Sequence, residues 1–149
     1  MPLAVQSTNN PAQGPAGTLA SPVVMSNSGA PPAGVTPLNS SSGNVAAAAA
    51  TATLAAVPGQ TNYLTGFDFT GAGATAGSVV TGTITGLLGG TRSFSIAVPA
   101  GAAVGLAPLS LSFDPPLPAS AVNTAIVVSV PSLGAGNTNA TLNAQGFLI

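Results

Sequence analysis

The chain has 149 residues, enough for one domain with its own core, and it carries one basic residue, two acids and a net charge of −1. A single arginine, Arg92, cannot neutralise a row of phosphates, which argues against a nucleic-acid partner. The absence of His and Cys removes imidazole catalysis, disulfides and thiolate metal sites.

Residues 1–44 hold seven of the fourteen prolines: Pro2, Pro11, Pro15, Pro22, Pro31, Pro32 and Pro37. Ser, Asn and Gly fill the gaps, and neither a helical nor a strand period survives that density of proline. This predicts an extended, partly polyproline-like arm without a core of its own. Its apolar patch, Pro22–Met25 (PVVM), suits docking on the same domain or on a neighbouring subunit; a disordered tail is the alternative. The first residues, MPLAVQSTNN, show neither the basic nor the apolar region of a signal peptide. No apolar run approaches the roughly 18 residues that span a bilayer, so no membrane partner is expected.

From residue 45 the pattern has period two. Seven strands are predicted, near 46–57, 61–70, 78–88, 91–98, 106–113, 123–131 and 139–149. In the second, Tyr63, Thr65, Phe67 and Phe69 share one face and Leu64, Gly66 and Asp68 the other. Phe94, Ile96 and Val98 alternate with Ser93, Ser95 and Ala97; Leu109, Leu111 and Phe113 alternate with Ser110, Ser112 and Asp114; Ile126, Val128 and Val130 share a face. Turn residues punctuate the runs at Pro58-Gly59, Gly71–Gly77, Gly89-Gly90, Pro99–Gly101, Asp114–Pro118 and Gly134–Asn137. Gly89-Gly90 reads as a two-residue hairpin turn. The expected fold is all-β: an antiparallel β-sandwich or jelly roll of seven to eight strands over residues 45–149, preceded by the arm at 1–44.

The first strand is ambiguous. In VAAAAATATLAAVPGQTNYL (Val45–Leu64), five alanines favour helix, by at most about 0.7 kcal/mol per residue over most alternatives. Thr51 and Thr53 alternate with Ala52 and Leu54, and twelve residues ending at Pro58 make a marginal isolated helix. Strand is the expectation, and helix the competing reading.

The catalytic inventory is nearly empty. Asp68 and Asp114 are the only carboxylates that could act as acid and base, and each has a structural explanation. Asp68 lies on a strand between Phe67 and Phe69; Asp114 opens the turn-like FDPPLP. Arg92 is expected to pair with one of them or to contact another subunit. Gly71–Gly77 (GAGATAG) resembles a phosphate loop only superficially: the spacing is wrong, no lysine follows, and a strand comes next. It reads as a mobile connection. Thr81-Gly-Thr-Ile-Thr85 places a TxTxT row on one strand face, as in ice-binding solenoids; that function needs the row repeated on neighbouring strands, and no fixed-period repeat is present. Asn39-Ser-Ser and Asn139-Ala-Thr match glycosylation acceptors without a secretion signal. No catalytic, cofactor-binding or metal-ligating residue is assigned, and the chain is not expected to be an enzyme.

An average soluble domain carries roughly a quarter charged residues. Here Ser, Thr, Asn and Gln must supply the surface polarity. Such groups re-pair across an interface at lower cost than ions do, which fits a surface covered by neighbours. Compositional drift in a GC-rich genome accounts for the same bias.

The runs ATLAAVPGQTNYLTGFDFTGAGATAGSVV, GGTRSFSIAVPAG and FDPPLPASAVNTAIVVSVPSLGAGNTNATLNAQGF look like small structural proteins of tailed bacteriophages. They resemble in particular the capsid decoration, or cement, proteins with a jelly-roll fold. The resemblance covers roughly residues 45–149, through YLTGF, TGAGATAG, FDPPLPAS and LGAGNTN. It implies a virion protein on the outer capsid surface that bridges major capsid protein subunits as a dimer or trimer and carries no cofactor. A receptor- or glycan-binding sandwich of a phage fibre or spike is the alternative. It would use loops 71–77 and 134–139, but it lacks the usual aromatic platform, since Tyr63 is the only Tyr and there is no Trp.

Overall fold

The structure is a computed structural model that describes residues 34–149. Eight strands form two four-stranded antiparallel sheets, and no helix occurs among the described residues. Sheet A has the order β1 (Thr36–Val45), β8 (Ala140–Leu148), β3 (Asn62–Gly71), β6 (Leu109–Pro118). Sheet B has the order β2 (Ala50–Leu54), β7 (Ile126–Val130), β4 (Ser78–Thr85), β5 (Arg92–Val98). The pairings β1–β8, β2–β7, β3–β6 and β4–β5 are nested about the middle of the chain, which is the jelly-roll arrangement.

The seven expected strands are present as β2–β8, and an eighth precedes them. Residues 36–44, expected in the extended arm, join Val45 in β1, paired with β8 from Thr36↔Leu148 to Val45↔Ala140. Its inward positions are Leu38, Ser40, Ser42 and Val45, so serines mask the apolar alternation. Those serines are structural: the Ser40 Oγ accepts the Thr53 N–H (2.9 Å), and the Ser42 Oγ accepts the Leu142 N–H (2.9 Å) at a break in the ladder. The sandwich therefore starts at Thr36 rather than at residue 45. The arm reading of residues 1–33 lies outside the described residues.

The alanine run resolves as a turn followed by a strand. Ala47 adopts a left-handed conformation (φ 47°), which no helix tolerates, and its N–H donates to the Asn137 carbonyl at 3.0 Å. Beyond it, Ala50, Ala52 and Leu54 are buried while Thr51 and Thr53 are exposed.

Three local expectations fail for identifiable reasons. In β3, Leu64 joins Phe67 and Phe69 in the core, because the ladders on both sides shift register between Leu64 and Gly66. The extra residue resets the parity, so strict alternation holds only within each half. The segment Asp114–Pro118 belongs to β6 rather than to a turn: Phe113–Pro116 bulge out of the ladder between Ser112↔Gly66 and Leu117↔Leu64, and pairing resumes through Pro118↔Tyr63. The β4–β5 connection is a hairpin, but not a two-residue one. Gly90 donates to the Leu87 carbonyl (3.0 Å), making a four-residue turn, and Leu87 bridges to Ala119.

The core lies between the sheets, built from Leu54, Leu64, Phe67, Phe69, Ile84, Ile126, Val128, Val130, Leu133 and Leu142. Its aromatic part sits toward β5 and β6, where Phe67 meets Phe94 at 4.9 Å and Phe113 at 6.3 Å between ring centroids. The inward row of β6 (Leu109, Leu111, Phe113) and Phe94 of β5 stay half-buried. The sandwich is thus closed along the β1–β2 side and less covered along the β5–β6 side.

Candidate interaction surface

Two buried asparagines organise the loops at the two ends of the sandwich. At one end the Asn62 Nδ2 lies within 2.9–3.1 Å of the carbonyls of Leu54, Ala55 and Thr124. At the other the Asn137 Nδ2 donates to the carbonyls of Ala72 (2.7 Å) and Asn139 (3.1 Å). The carbonyls satisfy each side-chain NH2 group, while each Oδ1 is buried without a hydrogen-bond partner, so the burial of the amide is compensated on the donor side only. Sequence reasoning singled out neither, because an Asn beside a turn looks the same whether it is buried or solvated.

The Gly71–Gly77 loop is anchored rather than mobile. Gly73 donates to the Val104 carbonyl and Gly101 to the Ala74 carbonyl, both at 2.6 Å, and Ala72 and Ala74 form bridges to Gly105 and Ala100. A Cβ at Gly73 would sit 2.4 Å from the Pro99 carbonyl oxygen, so only glycine allows the approach. Gly73 thus serves backbone packing, and its N–H is spent on the Val104 carbonyl.

The two acids differ in setting. The Asp68 carboxylate, on the outer face of sheet A, accepts from the Ser110 hydroxyl (2.5 Å) and the Gln145 amide (2.8 Å). Asp114 is exposed on β6, four residues beyond the Ser110 that pairs with Asp68, in the stretch where the β3–β6 ladder shifts register. Arg92 pairs with neither acid: its guanidinium lies over the Phe113 ring, 5.9 Å from the centroid. Among the described residues no cluster of three His, Cys, Asp or Glu side chains is placed to hold a metal ion.

What remains is surface. The outer face of sheet A carries a shallow polar groove of about 380 Å³ lined by Asn39, Ser40, Ser41, Asn143, Ala144 and Gln145, beside the Asp68 cluster. The candidate glycosylation acceptor Asn39 is part of it; Asn139 lies elsewhere, bonded to Asn44 and Thr138. On the outer face of sheet B the register aligns Thr51, Ser129, Thr83 and Ser93 across all four strands. The row through Thr83 does continue on its neighbours, with Thr51 and Ser129 hydroxyls 2.9 Å apart; the adjacent row is interrupted by Val127 between Thr53 and Thr85. A second depression, about 280 Å³, lies between the β4–β5 turn and β6 and is lined by Leu87, Leu88, Gly89, Arg92, Leu117 and Pro118.

No helix of the described residues is long and apolar enough to cross a membrane. No protein-family model matches the chain, and no curated protein matches it.

Proposed function

We propose that the chain is a virion structural protein that decorates the outer surface of an icosahedral phage capsid and stabilises it by bridging major capsid protein subunits. The observation that carries this reading is the nature of the surface. The outer face of sheet A carries hydroxyls and amides, with the Asp68 carboxylate held by two neutral partners, and the outer face of sheet B carries a row of hydroxyls beside the uncharged Val79 and Val127. Such faces lose little on desolvation and can re-pair with a neighbouring protein. A rigid jelly roll without a catalytic constellation suits a role in which repeated contacts at symmetric positions supply the stability. The sequence resemblance to phage decoration proteins points the same way. A contact of ordinary size buries about 800 Å² per partner.

The polar groove at Asn39–Ser41 and Asn143–Gln145 supports a second reading, a glycan-binding sandwich of a fibre or spike, because amide side chains converge there. No aromatic ring is among its lining residues. Mass spectrometry and a cryo-microscopy reconstruction of the virion separate the two. Many symmetric copies on the shell support decoration; a few copies at one vertex, with binding to a glycan array, support the second reading.

A further inference from the structure

A sandwich of two open sheets has four edge strands, and three of these four are guarded along all or part of their length. β1 and β2 face each other, with the Ser40 hydroxyl accepting from the Thr53 backbone. β6 carries Pro115, Pro116 and Pro118, which cannot donate to an added strand. β5, Arg92–Val98 (RSFSIAV), has no proline, and its only charge is at its first residue. Among the described residues no strand pairs with its outer edge. Beside that edge Phe94 and Phe113 are only half-buried.

We infer that β5 pairs antiparallel with β5 of a second copy of this chain, joining two sheets B into one eight-stranded sheet across a two-fold axis. The strand is self-complementary about Ser95. With Ser95 opposite its own counterpart, Phe94 faces Ile96, Ser93 faces Ala97 and Arg92 faces Val98 of the other copy. Phe94, Ile96 and Val98 point toward the core in each protomer, and Ser93, Ser95 and Ala97 point outward. The inner Phe94, Ile96 and Val98 of the two copies therefore continue one apolar row with an Arg92 at each end, and the outer Ser93, Ser95 and Ala97 continue one row of small side chains. A slip of one residue would set core-facing side chains against outward ones. The register also carries the two Arg92 side chains to opposite ends of the pair, about 20 Å apart, beyond the screening length at physiological ionic strength. The lone charge thus opposes neither itself nor the pairing, as an isologous contact requires.

This inference names the self-association contact within the decoration reading, and its test needs no capsid. Sedimentation equilibrium of the full chain should give twice the 14.0 kDa chain mass. Ser95→Lys and Ser95→Glu each place like charges directly opposite at the axis, and each should weaken the dimer by about tenfold or more. Mixed one to one, the two variants should recover a dimer. Ser112→Lys, an exposed change on β6, should leave the mass unchanged, and circular dichroism should show every variant folded, since residue 95 points to solvent in the protomer. A monomeric wild type, whether its β5 edge is free or taken by the chain's own residues 1–33, overturns the inference. An assembly indifferent to both Ser95 changes, or one they weaken without recovery on mixing, overturns it equally. None of these results bears on whether the protein sits on a shell.

Discussion

Phe94 lies across Gly82. The two residues are direct cross-strand partners in β4 and β5, and a Cβ built at position 82 would come within 2.4 Å of the phenyl ring. The glycine in TGTIT therefore provides the floor on which the ring rests before it meets Phe67. Gly82→Ala should destabilise the fold by about 1–3 kcal/mol through overpacking. Gly82→Ala combined with Phe94→Leu should cost less than the sum of the two single changes, measured by urea unfolding. Additive costs would show that the ring and the glycine are not coupled.

Asn62 ties the end of β2 and the loop before β7 to the start of β3. Asn62→Ala should cost about 1–3 kcal/mol because carbonyls lose a buried donor. Asn62→Asp should cost more, since it sets a carboxylate against the same carbonyl oxygens. Thermal unfolding of the two variants checks both magnitude and order; an aspartate as well tolerated as asparagine would contradict the assigned geometry.

The fold requires β1. A chain lacking residues 1–33 keeps all eight strands and should unfold within a few degrees of the full chain. A chain lacking residues 1–45 loses β1, uncovers the β8 edge, and removes the Ser40 and Ser42 bonds. It should be insoluble or unfold far earlier in a thermal scan. Equal stability of the two truncations would place the start of the domain at residue 45 after all.

With three charged side chains in all, association of this protein should depend little on ionic strength. Binding to a partner, measured from low-salt buffer to about 0.5 M sodium chloride, should change by less than about threefold. A steep salt dependence would mean that the partner supplies both signs of charge, or that Arg92 and the acids carry the contact.

Period-two alternation located seven strands, because most of them bury one face and hydrate the other: Phe94, Ile96 and Val98 against Ser93, Ser95 and Ala97 is such a case. Alternation failed where the physical cause changed. β1 fills its inward positions with Ser40 and Ser42, whose hydroxyls satisfy backbone N–H groups, so no apolar period marks it. The bulge beside Thr65 inverts the parity of β3, and only pairing with β6 and β8 reveals it. FDPPLP has the composition of a turn, yet an edge strand accommodates prolines whose missing N–H groups face no partner. That the chain holds two carboxylates and neither His nor Cys is read directly from composition. The organising role of Asn62 and Asn137 was not, since burial and convergence on carbonyls from several loops are properties of the folded chain.

The proposed decoration role is tested most directly by a cryo-microscopy reconstruction of purified virions, with copy number from quantitative mass spectrometry. Decoration requires jelly-roll density repeated on the outer shell over contacts between major capsid protein subunits. A particle without the protein, or with a few copies confined to a tail or a single vertex, would contradict it.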